Sequence, residues 1–157
     1  DISKNKCNFD FNTQATTQLT VGDARSLTIP DSSIDLICTH PPYANIINYS
    51  ENIEHDLSLL PMKEFLFEIG NVAEECYRVL KKDKFCAVLM GDLRQKGMVK
   101  PLAFETMRIF EFAGFKTKEI IIKEQHNCKA TGYWKTNSIK HNFLLLAHEY
   151  LFIFKKI

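Results

Sequence analysis

Glycine is scarce and dispersed in this chain of 157 residues: there are six, at positions 22, 70, 91, 97, 114 and 132, and no two form a close pair. A loop that wraps its main chain around a phosphate or cofactor needs glycine at the points of closest approach, so no such cradle is encoded here. Cysteine offers no framework either. The five, Cys7, Cys38, Cys76, Cys86 and Cys128, are odd in number and scattered, a pattern of reduced thiols in a cytoplasmic protein rather than of disulfides. No apolar run is long enough to span a bilayer and no signal-peptide pattern is found, so no membrane association is expected. Neither sign of charge dominates. With 20 Lys and Arg against 19 Asp and Glu the net charge is +1, and any contact with nucleic acid has to come from a local basic patch. His126, Cys128 and His141 lack the paired spacing and the fourth ligand of a structural zinc site, and no metal is expected.

What is present is apolar and patterned. With 45% hydrophobic residues the chain can bury one core, so residues 1–157 read as a single domain. Its organising stretch is Ile34-Asp35-Leu36-Ile37-Cys38-Thr39-His40-Pro41-Pro42-Tyr43. Residues 34–38 read as a buried strand interrupted only by Asp35. Two prolines stop it, because each biases the residue before it towards extended backbone and neither donates an N–H. The result is a stiff corner with free carbonyls, flanked by the flat face of Tyr43. At the carboxyl end of a strand in an open parallel sheet, such a corner stands where ligands bind.

Thr39-His40-Pro41-Pro42-Tyr43 resembles the catalytic motif of S-adenosylmethionine-dependent amino-methyltransferases, which act on an exocyclic nitrogen of a nucleic-acid base. The usual form places Asp, Asn or Ser before Pro-Pro-aromatic, and here His40 takes that place. The resemblance implies that His40 and the Pro41 carbonyl accept hydrogen bonds from the target amino group, while Pro42 and Tyr43 complete the site with the base stacked on Tyr43. Neutral His40 accepts through a ring nitrogen, whereas imidazolium does not. The resemblance also implies cofactor contacts. Gly22-Asp23-Ala24 resembles the motif whose acid approaches the cofactor adenine, Asp1 takes the place of the ribose-binding acid, and Thr39 stands on the cofactor side of the catalytic motif. Asn45, Asn48 and Tyr49 fall in the segment that closes over substrate.

Periodicity supplies the remaining elements. Residues 19–22 read as a short strand. Pro61 opens a helix to about Lys82, with Phe65, Ile69, Val72, Cys76 and Val79 spaced at threes and fours. Its charges, Glu74 and Glu75 among them, read as a solvated face. Residues 85–90 form a buried strand that ends in the loop Gly91-Asp92-Leu93-Arg94, and Pro101 opens a second helix that stops at Gly114. Residues 117–123 follow as a strand, and 143–154 as one long final strand with His148-Glu149 as a polar interruption or bulge.

This order predicts an α/β fold with a mostly parallel sheet and an antiparallel last strand. The resemblance then implies the later two-thirds of a Rossmann-like class I methyltransferase fold, an incomplete catalytic domain without its first strand and glycine-rich cofactor loop. In the family's sheet order, 3-2-1-4-5-7-6, residues 19–22 and 34–38 are separated by two strands. The expectation is that an upstream segment or a second chain supplies them.

Residues 126–142 read as a loop in which Lys129, Tyr133, Trp134 and Lys135 have the composition that pairs phosphates and stacks bases. The leading expectation is a DNA methyltransferase that transfers a methyl group from S-adenosylmethionine to the exocyclic amino group of adenine or cytosine, as in restriction-modification. An RNA or protein-glutamine methyltransferase carries a similar motif. A non-catalytic binding module that lost cofactor binding is the alternative from another class.

Overall fold

The computed structural model describes residues 16–44, 49–51, 53, 56–125 and 131–157. In chain order they form β1 (Ile34–Thr39), α1 (Met62–Val79), β2 (Leu80–Met90), β3 (Leu93–Gln95), β4 (Met98–Lys100), α2 (Leu102–Phe112), β5 (Lys116–Glu124), α3 (Thr131–His141) and β6 (His148–Lys155). The four longer strands make one sheet in the order β1-β2-β6-β5, and β3-β4 form a separate hairpin. β1 and β2 pair in parallel, while β6 runs antiparallel to both β2 and β5. Three strands therefore point one way and only the last is reversed, as the sequence predicts.

One face of the sheet is packed by helices. In α1 the residues Phe65, Ile69, Val72, Ala73, Cys76 and Val79 are all buried, the stripe expected of a helix with one apolar side. α1 runs directly into β2, so the strand starts at Leu80 and the helix ends before Lys81. Lys156 holds this junction by donating from Nζ to the carbonyl oxygens of Tyr77 and Leu80 at 2.6 and 2.7 Å. α2 buries its own Leu102, Ala103, Thr106 and Phe110, and Asp92, just past the end of β2, accepts from the Ala103 N–H at 3.0 Å. Cys86, Val88, Met90, Phe152 and Phe154 are fully buried beneath both helices, with the Phe110 and Phe154 rings stacked at 5.0 Å. Gly114 is required where α2 turns into β5: its φ is +109°, and a Cβ there would meet the Tyr77 ring at 3.1 Å.

The opposite face carries Leu36 and Cys38 of β1, Phe85, Ala87 and Leu89 of β2, Leu151 and Ile153 of β6, and Ile121 of β5, by strand alternation and register. It is far less covered. Leu36 is 59% and Ile121 47% exposed, and Cys38 is exposed. The outer edge of β1 pairs with no described strand.

Several expectations are corrected. Residues 19–22 form no strand; Leu19 and Val21 are 67% and 98% exposed, because a short extended segment gains nothing without a neighbouring ladder to join. The last strand begins at His148 rather than at 143, and Glu149 is no bulge but stands in register opposite Lys123. The segment read as a loop contains α3, whose Tyr133, Trp134 and Ile139 are all exposed. It lacks the buried apolar stripe by which a helix is recognised in sequence. Glu75 is no solvated charge. It accepts from Arg78 Nε and from the Leu27 N–H, both at 2.8 Å, and these bonds hold its carboxyl down to about 2. Arg78 in turn donates to the Leu27 and Ile29 carbonyls at 2.9 Å, so the pair ties the segment before β1 onto α1.

Candidate active site

The site is built where β1 ends. Thr39 closes the strand, and His40-Pro41-Pro42-Tyr43 turns across the carboxyl edge of the sheet. Pro41 and Ala44 are buried while His40 is exposed, so the turn is anchored on its proline side and presents the imidazole outward. Tyr43 is fixed from two directions. Its hydroxyl donates to Glu149 Oε1 at 2.9 Å, and the Gly91 main chain lies close against it. A Cβ at position 91 would lie 2.8 Å from that hydroxyl, so Gly91 is the residue that lets the ring seat. Burial, then the bond to the Glu149 carboxylate, push the phenol far above its ordinary range. It therefore remains a donor.

Glu149 is the hub. Only 6% of the residue is exposed. Its Oε2 accepts from Lys123 Nζ at 2.7 Å, and its Oε1 stands 3.7 Å from Nε2 of His40. Burial opposes the charge, but the bonds from Lys123, Tyr43 and Gln125 outweigh it and hold the carboxyl below its usual range. The His40 and Tyr43 rings meet edge-on, with centroids 5.9 Å apart at 86°. Glu149 was missed in the sequence, where its signal is a single acid in an apolar strand. Nothing in a single sequence says that it meets a tyrosine 106 positions away.

The other expected residues are distributed as follows. Tyr49 is 66% exposed, and its N–H donates to the buried Ser58 Oγ at 2.9 Å. Asp23 is paired twice over with Arg25, which also reaches Glu68 of α1 at 3.0 Å; Ala24 is exposed beside it. Tyr133, Trp134 and Lys135 lie exposed on α3, with the two rings edge-on at 5.3 Å. Because β5 runs parallel to β1, α3 follows from the same carboxyl edge that carries the turn. Among the described residues, no hydrogen bond, ion pair or ring contact joins α3 to His40 or Tyr43. Asp1, Asn45, Asn48 and Lys129 lie outside the described residues. A polar groove of about 310 Å³ lined by Arg25, Glu68, Asn71, Glu74 and Glu75 shares no residue with the turn. Among the described residues, no group of three or more His, Cys, Asp or Glu is placed to hold a metal, and no helix is long and apolar enough to cross a membrane.

A reversed last strand inserted beside a parallel pair, with a Pro-Pro-Tyr turn at the carboxyl edge, defines an α/β fold of the class I methyltransferase type. Residues 34–157 match the N6/N4 methyltransferase family described as DNA methylase, and the chain belongs to that family. It is 32% identical over 113 residues to the type II methyltransferase M.MjaVI of Methanocaldococcus jannaschii, an alignment covering 71% of this chain and 56% of that protein. To the type II methyltransferase M.BglII of Bacillus subtilis it is 31% identical, with 76% and 34% covered. The cytosine-N4-specific PvuII DNA methyltransferase shares the fold at a TM-score of 0.67 and 22% identity, covering 87% of this chain and 48% of that one. The chain thus spans between about a third and somewhat over half of the length of these curated relatives.

Proposed function

We propose that this chain carries the base-binding half of an S-adenosylmethionine-dependent DNA methyltransferase acting on the exocyclic amino group of adenine or cytosine. The observation that supports this reading is the seating of Tyr43: its ring is held by Gly91 and Glu149 beside an outward-facing His40. A target base flipped out of the duplex stacks on Tyr43. Its amino group donates to a ring nitrogen of His40 and to the Pro41 carbonyl, which fixes the nitrogen that is to be methylated. Tyr133, Trp134 and Lys135 on α3, which follows from the same edge of the sheet, and Tyr49 are the described candidates for contacts to phosphate and bases, while Lys129, Asn45 and Asn48 are candidates by sequence alone.

S-Adenosylmethionine supplies the methyl group when bound. The described residues fit the acceptor side of that reaction and not the whole cofactor cradle. Thr39 ends β1 beside an unpaired strand edge, Asp23 is engaged by Arg25, and no described pair of glycines is close enough to wrap a ligand. The exposure of the sheet face opposite α1 and α2 and the edge of β1, which no described strand pairs, support the reading that further polypeptide, an upstream segment or a second chain, completes the sheet and supplies the cradle. The names of the relatives support DNA as substrate. Incorporation of labelled methyl from the cofactor into DNA, RNA and glutamine-containing protein tests the proposal on the protein together with that polypeptide. Labelling of DNA is expected, and labelling of RNA or protein alone overturns it.

A further inference from the structure

Glu149 is a buried carboxylate that holds the Tyr43 ring and also faces His40. Burying a carboxylate is costly unless it is paired, and its neighbours along that face of β6, Leu151 and Ile153, are apolar. We propose that Glu149 is the positioning residue of the His40–Tyr43 turn: it seats the Tyr43 ring and selects the Nε2–H tautomer of His40, leaving Nδ1 as the acceptor for the target amino group. The inference deepens the methyltransferase reading and rests on it.

The geometry carries the argument. Tyr43 Oη donates to Oε1 at 2.9 Å, and the same oxygen faces Nε2 of His40 at 3.7 Å. That separation is too long for a direct hydrogen bond, but charge still acts across it. A lone pair on Nε2 would stand near a negative oxygen and be repelled, whereas an N–H there is attracted to it. Placing the proton on Nε2 leaves the lone pair on Nδ1. A carboxylate that orients the imidazole of a catalytic triad works by the same logic. Other charged or titratable groups among the described residues at this end engage one another or the far oxygen. Lys123 from β5 engages the far oxygen, Oε2. On β6, His148 Nε2 and Tyr150 Oη meet each other at 3.0 Å, with Asp92 at the end of β2 close to both. The His40 ring meets Tyr43 edge-on, with centroids 5.9 Å apart.

Two-bond proton–nitrogen NMR correlation of the full chain, with His40 assigned by its absence from a His40→Asn protein, reads the tautomer directly. In the neutral ring Nε2 is expected to be pyrrole-like and Nδ1 pyridine-like. Glu149→Gln should draw the two nitrogen signals together, whereas Glu149→Asp, which keeps the charge, and Lys123→Met, which keeps the carboxylate, should preserve the split. A wild-type His40 in the Nδ1–H form overturns the proposal without any variant, so a Glu149→Gln protein that fails to fold leaves the test intact. An unchanged tautomer in folded Glu149→Gln also overturns it. Methyl transfer is measured separately, with kcat expected to fall about 100-fold in Glu149→Gln and KM for DNA to change little. Wild-type spectra of the expected form without methyl transfer to any acceptor would uphold the positioning and overturn the methyltransferase reading. An active protein with the opposite tautomer would do the reverse.

Discussion

The two faces of the sheet carry similar side chains and meet different surroundings. Beneath α1 and α2, Cys86, Val88, Met90, Phe152 and Phe154 are fully buried. On the other face Leu36 and Ile121 remain about half exposed, although they are no less apolar. A polar cross-strand pair on that face, Lys123 with Glu149, stands at the end that holds the Tyr43 turn. The comparison separates two tasks. The helical face supplies the burial that holds the chain folded, and the open face carries the proposed site.

The comparison is tested most severely by Phe154→Ala. Removing a fully buried, stacked ring should cost about 3–5 kcal/mol of stability, read from the urea midpoint; a cost near that of a surface substitution would erase the distinction between the faces. Next is Tyr43→Ala, which removes the proposed base stack, worth about 1–3 kcal/mol, and with it the proposed positioning of the nucleophile. Methyl transfer should be largely lost while the unfolding midpoint moves much less than in Phe154→Ala. Near-normal turnover would mean that the site lies elsewhere.

Gly91→Ala should act through the same ring. With its Cβ 2.8 Å from the Tyr43 hydroxyl, it displaces the side chain by a fraction of an ångström. Turnover should drop about tenfold, well short of the roughly hundredfold that a full ångström of misplacement costs.

The Glu75 anchor belongs to the helical face and gives a pH signature. Its carboxyl is depressed from 4.5 to about 2 in the folded protein, so its contribution is complete above pH 4.5 and disappears as pH falls towards 2. Urea midpoints of Glu75→Gln should fall less over that interval than those of the wild type. Parallel slopes would show that the Arg78 pair carries no stability. The smallest effect is expected from Leu36→Ala, within about 0.5 kcal/mol, because the side chain is 59% exposed. In a longer protein whose additional strands cover β1 the same change should become costly, which is the sharpest test of what that face is for.

Much of this was legible in the sequence because it is local. Apolar spacing located α1, β2, α2 and β5, prolines marked the helix starts, and Pro41-Pro42 marked the turn. What escaped depends on partners. Residues 19–22 have the alternation of a strand, but strands exist by pairing, and no described strand lies beside them. α3 makes its hydrogen bonds locally and buries no stripe, so its sequence has the polarity of a loop. Glu75 and Glu149 look like ordinary charges until Leu27 and Tyr43 are brought against them from far away in the chain.

The position of β6, last in sequence but between β2 and β5 in the sheet, has a kinetic consequence. Until it is inserted, β5 has no neighbour to pair with and β2 exposes an open edge. The sheet therefore closes through contacts of large sequence separation, the slow and aggregation-exposed kind. Tyr43 finds Glu149 only at that final step. On a ribosome the turn would emerge early and stay unseated until nearly the whole segment had been synthesised, so the seating of the Tyr43 ring is among the last features to acquire its shape.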